Sequence, residues 1–206
     1  LDGSVINSGS GVSLFRLIKF SSAHGLSGLE FLTGIPASLG GALMMNAGCW
    51  GREISSLVKE LSVMDYMGNV TVIGCSKAGF RYRGSKLGRY IILGAKLKLK
   101  KEKEAAIRKR IKTYAKKKAQ SQDLTFPSAG CIFKNPDFES AGRLIELCGF
   151  KGKSLRGALI SRKHANFILN VSRAKAKDIL SLIRAVKKAV RMKFKISLRP
   201  EIKIWG

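Results

Sequence analysis

Seven glycines fall within the 27 residues from Gly25 to Gly51, which read Gly-Leu-Ser-Gly-Leu-Glu-Phe-Leu-Thr-Gly-Ile-Pro-Ala-Ser-Leu-Gly-Gly-Ala-Leu-Met-Met-Asn-Ala-Gly-Cys-Trp-Gly. Such density excludes a long helix or an uninterrupted strand, because glycine weakens the interior of both. It suits a chain of tight turns in which bare backbone approaches a neighbour or a ligand closely. Thr33-Gly34-Ile35-Pro36 followed by Gly40-Gly41 predicts a turn running into a helix, and the first amides of a helix favour phosphate. Neither GxGxxG nor a P-loop is present. On the residues alone, a ligand cradle and a tightly packed, ligand-free loop remain equally open.

Two segments can be separated around this feature. Residues 1–100 are rich in glycine and short β-like runs. Val58–Asp65 and Val70–Ile73 flank Met67-Gly68-Asn69, the pattern of a hairpin. Tyr90–Lys100 alternates apolar and basic residues as a half-solvated strand does. Residues 101–125 open on a charged stretch without Gly or Pro, where Ile107, Ile111, Tyr114 and Ala115 recur at helical spacing. This predicts a surface helix linking two domains. In residues 126–206, Ser140–Leu147 predicts a short helix stopped by Gly149, and Phe167–Val171 a strand. Ser172 is the expected N-cap of a helix that lays Ile179, Leu182, Ile183, Val186 and Val190 on one face. Ile202 and Ile204 mark a last strand after Pro200. The predicted class is α+β.

The chain carries 39 Lys+Arg against 13 Asp+Glu, a formal charge of +26. Such a surplus draws in anions by its field alone. It is spread over Lys96–Lys118 and Arg173–Lys195 at spacings that suit exposed faces, without an arginine-rich tail or an RNA-binding aromatic signature. We read it as a solvated surface biased toward anionic small molecules; nucleic acid is not the expected partner. No apolar run approaches the roughly 18 residues of a membrane span, since Leu14–Phe20 is short and carries Arg16 and Lys19. Without a basic-then-apolar leader pattern, the expected compartment is the cytoplasm. The cysteines at 49, 75, 131 and 148 form no CxxC pair, and neither His24 nor His164 lies near two of them. No metal site is expected, and Cys49, Cys75 and Cys148 read as small buried hydrophobes.

The run Gly34–Ala42, then Met45-Asn46-Ala47-Gly48 and Gly51-Arg-Glu-Ile54, resembles the flavin-contacting segment of UDP-N-acetylenolpyruvoylglucosamine reductases. That family uses FAD and NADPH to reduce UDP-N-acetylglucosamine enolpyruvate to UDP-N-acetylmuramate for peptidoglycan. The resemblance implies FAD contacts at Gly34, Ile35, Pro36, Ser38, Gly40, Gly41, Ala42, Asn46, Ala47 and Gly48. It also implies that residues 1–100 are the second lobe of an FAD-binding domain like that of vanillyl-alcohol oxidase, followed by a substrate-binding domain. Family members carry an upstream lobe with a further phosphate loop. A sequence beginning at Leu1 is therefore read as lacking that lobe, and as holding FAD weakly by itself.

Three motifs carry the implied chemistry. Phe80-Arg81-Tyr82-Arg83-Gly84-Ser85 resembles the family's Tyr-Arg-x-Ser, which makes Arg83 the cation that polarises the substrate carboxylate, with Tyr82 and Ser85 beside the substrate. Pro127-Ser-Ala-Gly-Cys-Ile-Phe-Lys-Asn-Pro136 resembles the segment of the general acid, with Cys131 where the family usually has serine. A thiol, at about 8.5 when unperturbed, releases a proton more readily than a hydroxyl, and cations at Lys134 and Arg83 would favour the thiolate further. Asn135 matches a substrate contact and Lys134 is expected to meet phosphate. Leu198–Gly206 resembles the C-terminal Pro-Glu-Val-Arg-x-x-Gly, which makes Glu201 the catalytic carboxylate. Ser161–Asn170 resembles a substrate-domain strand where His164 would touch the nucleotide, although a lone histidine there is more often packing. The spacing of these motifs fits the shorter family subtype, and a monomer is expected. Two alternatives stand beside this reading: a related FAD-linked oxidase, against which the Arg83, Cys131 and Glu201 trio argues, and a basic, non-catalytic binding module on a degenerate flavin scaffold.

Overall fold

The computed structural model describes residues 1–205; Gly206, the last residue of the C-terminal motif, lies outside the described residues. The chain divides into two compact units, Leu1–Lys117 and Lys118–Gly206. Each mixes helices with an antiparallel sheet, and the class is α+β.

Unit 1 is built on a four-stranded sheet of β1 (Val5–Gly9), β5 (Val58–Met64), β6 (Val70–Gly74) and β7 (Ile91–Lys98), in the order β1-β7-β5-β6. The hairpin between β5 and β6 closes as the sequence predicts. Asp65 accepts hydrogen bonds from the backbone N–H of Met67 and Asn69, both at 2.9 Å, and Gly68 takes φ +91°. Between β1 and β5 run α1 (Leu14–Ala23), β2 (Leu26–Ser27), α2 (Leu39–Met44), β3 (Gly48–Cys49) and β4 (Arg52–Glu53). Ser13 caps α1 and Ser38 caps α2, each hydroxyl accepting from an amide three residues on. The apolar faces of both helices, Leu14, Leu17, Leu39 and Leu43, join Phe31, Leu61 and Leu97 in one core.

β8 (Lys100–Lys101) pairs with β2 and leads into α3 (Glu104–Ser121), the helix expected from the charged stretch. Its first part is held on unit 1. Ile107 is buried there, Ile111 and Tyr114 pack on the same core, and Arg110 bonds to both Glu30 and Glu102. Burial pushes the Glu30 carboxyl up, but hydrogen bonds from Arg110, from backbone amides including Gly28 N–H, and from Ser27 outweigh it and hold the group below its ordinary value.

Unit 2 pairs β9 (Ser128–Cys131), β10 (Ser154–Leu155), β11 (Ala158–Ile160) and β12 (Phe167–Asn170) in the order β10-β11-β12-β9, with α4 (Ala141–Leu147) and α5 (Ala176–Phe194) beside them. Ser140 caps α4 and Gly149, at φ +71°, follows its end, as expected. The start of α5 differs from expectation. Asn170 Oδ1 accepts from Ala174 N–H at 2.8 Å, and Val171 and Ser172 donate to Gly157 O. These bonds hold residues 170–174 in a turn, so the N-cap is Lys175, whose N–H donates to Asp178 Oδ2 at 3.0 Å. The C-terminal segment also departs from expectation, forming a single bridge at Phe133↔Pro200 instead of a continued strand. The bridge rests on the bonds on either side of it, Lys134 N–H to Arg199 O at 2.9 Å and Glu201 N–H to Ile132 O at 2.8 Å, and the Ile132 N–H that would extend the ladder to Glu201 donates instead to Asn166 O at 2.9 Å. Among the described residues no helix is long and apolar enough to cross a membrane.

Candidate functional site

In unit 1 the loop between β1 and α1 lies against the segment leading into α2. Leu14 N–H donates to Ala37 O at 2.9 Å, Leu39 N–H to Val12 O at 2.8 Å and Gly40 N–H to Ser10 O at 2.8 Å. The two capping serines, Ser13 and Ser38, form a bridge pair. Gly40 permits this closeness, since a Cβ there would stand 3.0 Å from Ser10 Cβ. Gly11 and Gly41 are different. Both have ordinary φ; a Cβ on Gly11 would meet nothing within 4 Å, and one on Gly41 only Ser38 Oγ at 3.6 Å. Neither packing nor backbone strain requires glycine at these two positions, which leaves bare, exposed backbone at Gly11 on the loop after β1 and at Gly41 in the first turn of α2. On the segment leading into α2, Thr33 Oγ1 is buried with no hydrogen-bond partner among the described residues, an arrangement that costs free energy unless another group completes it.

The segment after α2 is tied to a turn 35 residues further on. Asn46, fully buried and at φ +45°, donates through Nδ2 to Arg81 O at 3.2 Å and to Glu53 Oε2 at 2.6 Å, while its Oδ1 accepts from Ser55 N–H at 3.2 Å. Arg81 and Gly84 exchange backbone bonds of 3.0 and 3.1 Å, so Tyr82 and Arg83 form the tip of a tight turn. Arg83 occupies it at φ +50°, a left-handed conformation that costs a non-glycine residue about 1–3 kcal/mol. Its guanidinium lies 5.1 Å over the Tyr82 ring. Ser85 fixes the far side of the turn, donating to Met44 O at 2.8 Å at the end of α2. Arg83, Tyr82 and Ser85 are thus brought beside the glycine-rich segment. A Cβ on Gly48 would overlap Arg52 O across the β3–β4 pair, so the approach that demands glycine there is an internal one.

In unit 2, Cys131 ends β9 opposite Phe167 of β12. The next residue, Ile132, receives the Glu201 N–H bond, which places Cys131 and Glu201 on adjoining segments. Asn166 holds this corner: its Oδ1 accepts from Phe133 N–H at 3.0 Å and its Nδ2 donates to Phe133 O at 2.8 Å. Lys134 and Asn135 follow on the same segment, and Asn135 Oδ1 accepts from Ala141 N–H at 3.0 Å. His164 Nδ1 accepts from Asn166 N–H at 3.2 Å, and the ring packs against Phe167 and under Gly142. Burial lowers its pKa. An unfolded histidine takes its proton near pH 6.5, whereas this one resists until lower pH. Its neutral form therefore stabilises the fold above about pH 6.5, and that stability is lost as pH falls toward the lowered folded value. Melting curves in acid should show the wild type losing stability faster than His164→Gln; parallel curves would remove this role.

Residues 121–205 match the family model described as UDP-N-acetylenolpyruvoylglucosamine reductase, C-terminal domain, and residues 1–74 match an FAD binding domain. A UDP-N-acetylenolpyruvoylglucosamine reductase from Caldanaerobacter subterraneus subsp. tengcongensis is 38% identical over all of this chain and 69% of its own length. The chain belongs to this family. A Clostridioides difficile relative is 42% identical over 96% of this chain and 66% of its own. The crystal structure of the UDP-N-acetylenolpyruvylglucosamine reductase from Thermus caldophilus superposes with a TM-score of 0.86 at 37% identity, covering 96% of this chain and 71% of that one.

Against a reductase of this family, the residues in unit 1 fit an FAD. Gly11 and Gly41 offer open backbone, and Thr33 a buried hydroxyl without a partner among the described residues. Gly34, Pro36 and Gly41 are exposed on the segment expected to face the cofactor, whereas Ala42 and Asn46 are buried and Ile35 and Ala47 pack on the core. The Asn46 carboxamide bonds within the unit. Sequence reasoning passed over Ser10 and Gly11, although a Gly-Ser-Gly run between a strand and a capping serine was the available signal. It also passed over Glu53, whose partner Asn46 no spacing rule links to it.

Proposed function

We propose that Arg83, Cys131 and Glu201 carry the reduction of UDP-N-acetylglucosamine enolpyruvate to UDP-N-acetylmuramate in this chain. The observation that supports this most directly is the hydrogen-bonded attachment of the Arg83 turn to the end of the glycine-rich segment. The Ser10–Ser13, Thr33–Pro36 and Ser38–Gly41 segments would hold the FAD by close approach at the open Gly11 and Gly41 backbone and through the Thr33 hydroxyl. Bound FAD, reduced by NADPH, supplies the hydride for the enolpyruvyl double bond. Arg83 holds the substrate carboxylate where negative charge gathers, a role worth about 3–4 kcal/mol for a single fixed donor. Cys131 gives a proton to the neighbouring carbon, a contribution on the order of 10²–10⁴ in rate. Glu201, beside it, helps stabilise the enol and relays the proton. Tyr82, Ser85, Lys134, Asn135 and His164 border the substrate, with Lys134 toward phosphate. We place the reaction in the cytoplasm, in a monomer serving peptidoglycan synthesis.

A side chain on bare backbone tests the cofactor's seat. Gly41→Leu should weaken FAD binding by about tenfold or more, as lost close approach does, while the melting temperature of the flavin-free protein stays near that of the wild type. Quenching of flavin fluorescence on titration measures it. Unchanged affinity would remove this loop from the cofactor site.

A further inference from the structure

Asn46 sits at the junction between the glycine-rich segment and the arginine turn, where its carboxamide bonds within the unit. Its backbone is left-handed, a conformation asparagine tolerates better than most residues. Its carboxamide is fully buried and makes three hydrogen bonds to two segments: to Glu53 and Ser55 at and just beyond β4, and to the Arg81 carbonyl. Arg81 O also accepts the Gly84 N–H that closes the turn. The donor from Asn46 therefore bears on the carbonyl that opens the one turn placing Arg83 at φ +50°. A strained conformation persists only where its surroundings hold it.

We infer that Asn46 is a positioning residue, fixing the Arg81–Gly84 turn so that the Arg83 guanidinium stays oriented relative to the loop that meets the flavin. This rests on the proposed role of Arg83 in holding the substrate carboxylate. The carboxamide acts through Arg81 O, and a side chain that keeps the backbone conformation but cannot donate leaves the Arg81 side of the turn untied, with only the Ser85 side still bonded to Met44 O. Asn46→Gly keeps the left-handed backbone and removes all three bonds. Asn46→Asp keeps the acceptor for Ser55 N–H, loses both donors and turns an oxygen toward Glu53 Oε2 and Arg81 O, so it should open the turn at least as far as Asn46→Gly does.

Hydrogen exchange on the flavin-free protein reads the first consequence. In both variants the amides of Arg81 and Gly84 should exchange about tenfold faster through local opening, while those of the β5–β7 pairing keep wild-type protection. Half-reactions read the second. Reduction of bound flavin by NADPH should stay within about twofold of wild type, and its reoxidation by the enolpyruvyl substrate should slow by about ten- to a hundredfold, the scale of a misplaced group. Loss of protection throughout unit 1 would overturn the proposal, because Asn46 would then hold the whole unit and not the turn. So would equal slowing of both half-reactions. Arg83→Ala run alongside separates the two readings. If it slows reoxidation and the Asn46 variants do not, the positioning role alone falls. If Arg83→Ala reoxidises like wild type, the assignment of Arg83 falls and the positioning role falls with it.

Discussion

Replacing Arg83 with glycine should make the protein melt at a higher temperature while slowing its reoxidation by the enolpyruvyl substrate about 10²–10³-fold. The second half of the prediction follows from removing one fixed donor from developing negative charge. The first follows from the backbone. Arg83 stands at φ +50° at the tip of a turn, where relief of about 1–3 kcal/mol of strain exceeds the roughly 0.5–1 kcal/mol that glycine's freedom in the unfolded chain costs. Opposite signs for stability and activity are the mark of a strained residue kept for function. Thermal melts of the flavin-free protein and single-turnover reoxidation measure the two arms. A variant that is less stable and equally active would show that the turn serves the fold and that Arg83 has no part in the chemistry.

Cys131→Ala should slow the same half-reaction by about 10²–10⁴, the contribution of a placed general acid, and leave reduction of flavin by NADPH unaffected. Cys131→Ser should retain part of the rate, since a hydroxyl occupies the same place and still carries a proton. The pH profiles separate the two donors. A thiol gives up its proton in alkaline solution and a thiolate has none to donate, so the wild type should slow at high pH where the serine variant does not. Wild-type reoxidation rates in Cys131→Ala would transfer the acid's role elsewhere, and identical pH profiles would remove the thiol from the rate-limiting proton transfer.

Much of the local structure is legible because it depends on neighbours in sequence. The β5–β6 hairpin follows from Met67-Gly68-Asn69 with Asp65 preceding it, and the buried face of α5 follows from the spacing of Leu182, Ile183, Val186 and Val190. The start of α5 was not legible. Ser172 has the chemistry of an N-cap, but its backbone is engaged by Gly157, a partner brought near only by the turn between β10 and β11. The end of the segment departs for a related reason: Ile202 and Ile204 alternate like a strand, while the Ile132 N–H that would carry the ladder onward is engaged by Asn166 O, 34 positions away. In the candidate site, the resemblance supplied the residue types, and within each unit the structure shows which segments are bonded to one another. The bond from Asn46 to Arg81 O spans 35 positions and joins a side chain to a carbonyl, a pairing that composition and periodicity do not encode. That Cys131 and Glu201 lie on adjoining segments is likewise a matter of register at Phe133↔Pro200.

Mixing the FAD-loaded, NADPH-reduced protein with UDP-N-acetylglucosamine enolpyruvate in the absence of oxygen tests the central claim most directly. Flavin absorbance should return as the substrate is added, with UDP-N-acetylmuramate formed in step with it. Flavin that stays reduced in the presence of the substrate, or that reoxidises without forming this product, would contradict the account.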